Sequence, residues 1–242
     1  MVVNLRMVEK TKLSNPVIIE GFPGIGMIGT ITASYLAEKL GMKLIGYFSS
    51  PHFPPIAAIH DYVPVSPARI YASEKHNLIV LFSELVIPMH AVVELSEKII
   101  EFARDSGAKS IYSFAGIASP APDQKMYAIA STREKGEELR KEGYELVKEG
   151  ATQGVSGVLI AECAAAKIPA VNYMVQTNAP LDPRRAAMLL DKVMPSLGVN
   201  LETKSLVEEA DKIETKLKEA MDKMKQMHTD YSTMQGGQSM YG

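Results

Sequence analysis

Residues 17–39 read VIIEGFPGIGMIGTITASYLAEK. A β-branched run, Val17-Ile18-Ile19, meets a glycine-rich loop, and no charged side chain follows from Gly21 to Ala37. A strand that passes through glycines directly into a helix is the opening unit of an α/β fold. The uncharged run is shorter than the roughly 20 residues a membrane span needs. It is also broken by Gly21, Pro23, Gly24, Gly26 and Gly29, and bracketed by Glu20 and Glu38. A buried strand, loop and helix account for it, and a soluble chain is expected.

Within the loop, Gly24-Ile25-Gly26-Met27-Ile28-Gly29 matches the glycine fingerprint of dinucleotide-binding proteins in form. Such a loop can cradle phosphate, because glycines allow close backbone approach and the following helix presents free N–H groups. The fingerprint also requires an acidic residue about twenty positions on, at the end of the next strand, to hold the ribose. Here that strand ends LIGYFSS, without a carboxylate. Pro23 stands inside the turn, the intervening positions are apolar, and no lysine follows as in an ATPase loop. Gly21, Gly24, Gly26 and Gly29 therefore read as structural glycines, serving a tight turn and close helix–sheet packing. The competing reading is a nucleoside- or nucleotide-binding enzyme or sensor built on this loop, with Glu20 or Glu84 nearby.

The totals set wider bounds. The 242 residues suit one generous α/β domain with an appendage. With 46% hydrophobic and 22% charged residues the composition is that of an ordinary globular protein. The 26 basic and 28 acidic side chains leave a net charge of −2 and no basic stripe stands out, so long-range attraction to nucleic acid or anionic lipid is not supported. The single Cys163 rules out an internal disulfide and a cysteine zinc cluster, in keeping with a reducing cytoplasm. The N-terminus MVVNLRMVEKTKL lacks the apolar core of a signal peptide.

Along the chain, strands are expected at 44–48, 78–82, 109–114, 126–130 and 170–175. Helices are expected to about residue 40, at 89–106, within 132–150, at 155–167, and from the Asp182-Pro183 cap onward. The proline-rich segment SSPHFPPIAAIHDYVPVSPARIYAS predicts edge strands and irregular structure, since proline is excluded from central strands. This alternation predicts a three-layer α/β core over residues 1–200 with a mostly parallel sheet. From residue 201 to 229, Leu206, Ala210, Ile213, Leu217, Ala220, Met224 and Met227 recur in steps of four and three, a seam at heptad spacing. That predicts a long helix, packed on its own domain or against other subunits. Residues 230–242 are polar, contain Gly236-Gly237, and read as a flexible tail.

The catalytic inventory is thin. The five histidines, at 52, 60, 76, 90 and 228, show no metal-ligand spacing on one helix face. His60-Asp61-Tyr62 reads as edge-strand polarity, because neighbours on a strand point to opposite faces. Cys163, among alanines, reads as a structural thiol. Glu20, Glu84 and Glu162 are the carboxylates placed for partial burial, but spacing fixes no second acid or base for any of them. No catalytic residue, metal or cofactor is assigned.

The chain closes with Met240-Tyr241-Gly242: a hydrophobic residue, a tyrosine and a final residue with a free carboxylate. The carboxylate can pair with a lysine in a partner's pocket while the ring packs and its hydroxyl hydrogen-bonds.

The sequence resembles the proteasome assembly chaperone family, in the branch related to the second eukaryotic assembly chaperone that occurs as single proteins in archaea. The resemblance rests on VIIEGFPGIGMIGTITASYLAEKLGMKLIGYFSSPHFPPIAAI, on NLIVLFSEL and on SFAGIASP, and covers roughly residues 15–200. It implies a phosphorylase-like α/β fold without nucleotide chemistry. It also implies an ATP-independent, non-enzymatic assembly chaperone or activator. Met240, Tyr241 and the Gly242 carboxylate would dock between α subunits of the proteasome core particle, and a homo-oligomer, with a tetramer favoured, would present several tails.

Overall fold

The computed structural model describes residues 3–222, apart from 61, 209, 211, 213, 214, 216–218, 220 and 221. Eleven strands and six α-helices follow one another among the described residues. The strands are β1 (Asn4–Met7), β2 (Val17–Gly21), β3 (Lys43–Ser49), β4 (Ala58–His60), β5 (Val63–Val65), β6 (Ala68–Ser73), β7 (Leu78–Ser83), β8 (Ser110–Ala118), β9 (Met126–Ala130), β10 (Glu145–Leu146) and β11 (Ala170–Thr177). The helices are α1 (Ile28–Lys39), α2 (Met89–Asp105), α3 (Arg133–Lys141), α4 (Gly154–Ala166), α5 (Pro183–Val193) and α6 (Lys204–Glu208). No described helix is long and apolar enough to cross a membrane.

Nine strands form one sheet in the order β1-β3-β6-β7-β2-β8-β11-β9-β10, and β4 with β5 make a separate hairpin. The central strands are buried on both faces, so their two sets of alternating side chains feed two cores. Val17 and Ile19 of β2 pack with Val80, Phe114 and Val175 beneath α1 and α5. Ile18 packs with Ile79, Leu81 and Ile111 beneath α2 and α4. Helix α2 shows why it lies there: Ala91, Leu95, Ile99 and Phe102 recur every three or four residues and are all buried. Helix α5 starts where Asp182 caps it, its Oδ1 accepting the Arg185 backbone N–H at 3.1 Å, with Pro183 in the first turn.

The layering agrees with the sequence expectation, but the sheet is mixed rather than mostly parallel. The central run β7-β2-β8-β11 is parallel, as is the outer β9–β10 pair. On one side β7, β6, β3 and β1 are antiparallel in succession, and on the other β9 is antiparallel to β11. The reason is connection length. β6 and β7 join through a tight turn at 74–77, in which Asn77 takes a left-handed φ of 52°, and no helix intervenes between β8 and β9. The short β6–β7 link forces antiparallel neighbours, and β9, reversed after β8 without a crossover helix, pairs not with β8 but with β11 beyond it. The proline-rich segment also departs from expectation: its last residues, ARIYAS, form β6, an inner strand between β3 and β7. Pro67 precedes the strand and so costs it no ladder bond. The edge strand β1 was not foreseen.

The start of the C-terminal helix packs on its own domain. Leu206 and Ala210 are fully buried, the Tyr35 hydroxyl donates to the Glu202 carbonyl at 2.7 Å, and Thr203 donates to Asp191 at 2.7 Å. Helical backbone recurs at Ala210, Lys212, Thr215, Glu219 and Asp222. The remaining seam positions, Ile213, Leu217, Ala220, Met224 and Met227, and the tail at 230–242 lie outside the described residues.

The glycine loop is pressed into the sheet. A Cβ on Gly21 would stand 2.2 Å from the Gly29 carbonyl oxygen and 2.5 Å from the Ala33 Cβ. One on Gly29 would meet the Phe114 carbonyl oxygen at 2.6 Å. Gly26 adopts a φ of +67°, where only glycine sits without strain. At Gly24 an added Cβ would meet open space. Gly21→Ala is therefore expected to cost about 2–3 kcal/mol through overpacking, and Gly24→Ala less than about 0.5 kcal/mol. Urea denaturation of the two variants checks this; equal effects would remove the steric account of the loop.

Candidate functional site

The glycine loop, residues 118–120 after the body of β8, and residues 177–180 after β11 enclose an open depression of about 660 Å³ at the carboxyl ends of the central strands. Its walls are built by short contacts. The Gly26 carbonyl accepts the Asp182 backbone N–H at 2.9 Å. The Thr177 hydroxyl donates to Asp182 Oδ2 at 2.6 Å and accepts from the Ala179 N–H at 3.1 Å. Asp182 thus caps α5, fixes Thr177 and anchors the glycine loop together. Beyond the rim, Asp123 accepts from the Tyr127 hydroxyl at 2.7 Å, and Tyr127 accepts from the Gln176 amide at 3.0 Å. The Tyr127 hydrogen bond holds the Asp123 carboxyl below its usual range. The loop leading into β9 is tied to β11 in this way.

No charged side chain lines the depression. The first turn of α1 is equally closed to an anion. Ile28, Gly29 and Thr30 are buried, and Thr30 donates its hydroxyl to the Ser83 carbonyl at 3.2 Å. The residues whose N–H groups would meet a phosphate in a dinucleotide fold are thus buried here.

The carboxylates singled out from sequence lie apart from this depression. Glu20 extends from β2 toward α4, on the sheet face opposite α1, and is fully buried. Its Oε1 accepts the Phe22 backbone N–H at 2.8 Å and the Ser156 hydroxyl at 3.3 Å. Burial raises its pKa above the ordinary 4.5 against the opposing pull of these donors and of Ser113. Cys163 of α4 is buried nearby, and burial together with Glu162 and Glu20 pushes its thiol up to about 12. It is held as a thiol, without nucleophilic character at neutral pH. Glu162 itself is half-buried.

Glu84, just after β7, forms an ion pair with the buried Arg69 of β6 and a second contact with His60 Nε2 at 2.9 Å. The Arg69 guanidinium also lies 4.9 Å from the centre of the Phe82 ring, a cation–π distance. His60 belongs to the β4–β5 hairpin, so Glu84 pins that hairpin to the end of the β6–β7 pair. Sequence reasoning missed Arg69, and the partner it gives Glu84 is structural rather than catalytic. Its signal was a charged residue inside an otherwise apolar strand, ARIYAS. Asp61 lies outside the described residues, as do Met240, Tyr241 and Gly242. Among the described residues, no group of three or more histidine, cysteine or acidic side chains is placed to hold a metal ion.

Two outcomes follow from these charges. Because Glu20 keeps its proton to higher pH in the folded chain than in the unfolded one, its contribution is complete below pH 4.5 and is lost as pH rises through the folded value. Glu20→Gln is expected to flatten the pH dependence of unfolding above that point and to gain on the parent chain as pH rises; parallel profiles from urea titrations at pH 5 and pH 8 would contradict it. Glu84→Ala leaves the Arg69 charge buried without its carboxylate and is expected to cost about 3 kcal/mol, read as a lowered denaturation midpoint.

Comparison with known proteins places this architecture. The model of the PAC2 family matches residues 18–221. The uncharacterized protein MJ0106 of Methanocaldococcus jannaschii is 32% identical over 222 residues, covering 90% of this chain and 92% of that protein. The crystal structure of Pyrococcus furiosus PbaA, described as an archaeal homolog of proteasome-assembly chaperone, superposes with a TM-score of 0.82 at 30% identity, covering 93% of this chain and 99% of that one. P. furiosus PbaB, described as an archaeal proteasome activator, shares the fold with a TM-score of 0.77 at 21% identity, covering 91% and 99%. A glycine turn sealed into a mixed sheet and a match over nearly the whole described core lead to one conclusion: the chain belongs to the PAC2 family.

Proposed function

We propose that the protein is an ATP-independent, non-enzymatic proteasome assembly chaperone or activator. It docks Met240, Tyr241 and the Gly242 carboxylate into pockets of the core-particle α ring. The observation that carries this reading is the terminal Met-Tyr-Gly on a chain of the PAC2 family. The descriptions of PbaA and PbaB as proteasome-assembly chaperone homolog and proteasome activator support the choice of partner. The uncharged lining of the glycine-loop depression favours this adaptor over the nucleotide-binding alternative. The protein works in the cytoplasm as a homo-oligomer, a tetramer, whose several tails gain affinity through effective concentration. Its core is a phosphorylase-like scaffold put to use without nucleotide chemistry.

Binding of purified proteasome core particle to the intact chain, to a chain ending at Ser239 and to Tyr241→Ala tests the reading, with peptide hydrolysis followed in the same samples. A tyrosine anchor contributing about 2 kcal/mol predicts a loss of affinity of about thirtyfold per engaged tail for Tyr241→Ala. Faster hydrolysis with the intact chain would assign gate opening, and tail-dependent binding without a rate change would assign assembly. Undiminished binding by both variants would overturn the docking mechanism.

A further inference from the structure

Three polar side chains lie in one row beneath α4, within a core that is otherwise largely apolar. Strand register sets Glu20 of β2 beside Ser113 of β8, and Ser113 beside Asn172 of β11. All three point to the face that carries α2 and α4, because Glu20, Ser113 and Asn172 lie two residues beyond Ile18, Ile111 and Ala170, which pack there, and alternate with Ile19, Phe114 and Val171 on the other face. Glu20 and Asn172 are fully buried, and Ser113 is almost so. Asn172 has no protein hydrogen-bond partner for either its amide nitrogen or its carbonyl oxygen, and Glu20 Oε2 has none either. Three polar atoms are thus left over at the two ends of one short row.

Leaving them bare is expensive: each buried polar atom without a partner costs about 1–3 kcal/mol. Native proteins satisfy such groups with internal water when a site offers two to four polar partners. The two ends cannot satisfy each other directly. Two strand spacings of about 4.8 Å put the Glu20 and Asn172 backbones about 10 Å apart, with the small Ser113 side chain between them. A serine at the middle position leaves the space that a valine or leucine would fill. The surrounding groups are the remaining wall: Ser156 already donates to Glu20 Oε1, and Cys163 contributes an uncharged thiol.

We propose that this row is a binding site for internal water: at least one ordered molecule sits over Ser113 and joins Glu20 Oε2 to the Asn172 amide beneath α4. The helix is therefore held to the central strands by a hydrated polar seam as well as by apolar contact. The water couples two residues that do not touch.

A double-mutant cycle on the full chain reads that coupling. Glu20→Met, which removes both carboxyl oxygens at similar length, Asn172→Leu and the double variant are compared by denaturation midpoint at one pH. A bridging water predicts that Asn172→Leu lowers the midpoint, since it strips a partner from the water. It also predicts that the double variant falls short of the sum of the singles, because the second loss removes a bridge already broken. Additive effects, or a midpoint raised by Asn172→Leu alone, would overturn the proposal: a dry, unsatisfied amide is improved by replacement with an apolar group of similar shape. Should Asn172→Leu not fold, a high-resolution crystal structure of the parent chain decides. Solvent density in contact with Glu20 Oε2 and Asn172 supports the site, and a direct bond from either group to protein in its place excludes it.

Discussion

The closeness of α1 to the sheet constrains everything around it. With 2.2 Å between the Gly29 carbonyl oxygen and the place where a Gly21 Cβ would stand, the helix backbone rests on the strand backbone with no side chain between them. Gly116 of β8 repeats the arrangement, its missing Cβ standing 2.3 Å from the Ile25 carbonyl oxygen. The loop can descend that far only because Gly26 accepts a positive φ, and once down it meets Asp182. From that contact follow the cap of α5, the position of Thr177 and the closed start of α1. The same glycines that could bring a backbone close to a pyrophosphate here bring it close to β8.

This explains which parts of the fold were legible in the sequence. The apolar runs VIIEG and LIVLFS carry their burial on their face, and the Asp182-Pro183 cap announces a helix. The direction of the strands is another matter. It depends on the link between β6 and β7, whose tight turn is marked by no glycine but by Asn77 in a left-handed conformation. Strand β1, NLRM, is mostly exposed and joins the sheet through backbone hydrogen bonds, which leave no hydrophobic trace. The Pro-rich segment misled for a physical reason: its prolines lie in the hairpin and before β6, not within the inner strand itself.

The candidate sites follow the same division. Glycine identities exposed the close approach without any knowledge of partners. Pairings across the sheet stayed hidden, since Glu84 meets Arg69 only through the antiparallel register of β6 on β7. Likewise Glu20, Ser113 and Asn172 share a row only because the strand order is β2-β8-β11. Sequence spacing between these residues holds no information about that order.

The distribution of chemistry over the described residues bears on where function resides. Glu20 accepts from Phe22 and Ser156, Glu84 is held by Arg69 and His60, and Asp182 caps α5. Each of these three carboxylates is bound into the framework that supports it, and Cys163 is kept protonated by burial. A side chain so engaged would have to break a structural contact to act on a substrate, at a cost of about 1–3 kcal/mol for each buried group exposed. The proposed recognition element at the end of the chain would carry no such cost. It would add affinity for a partner without asking the core to move, the division of labour that the proposed adaptor requires.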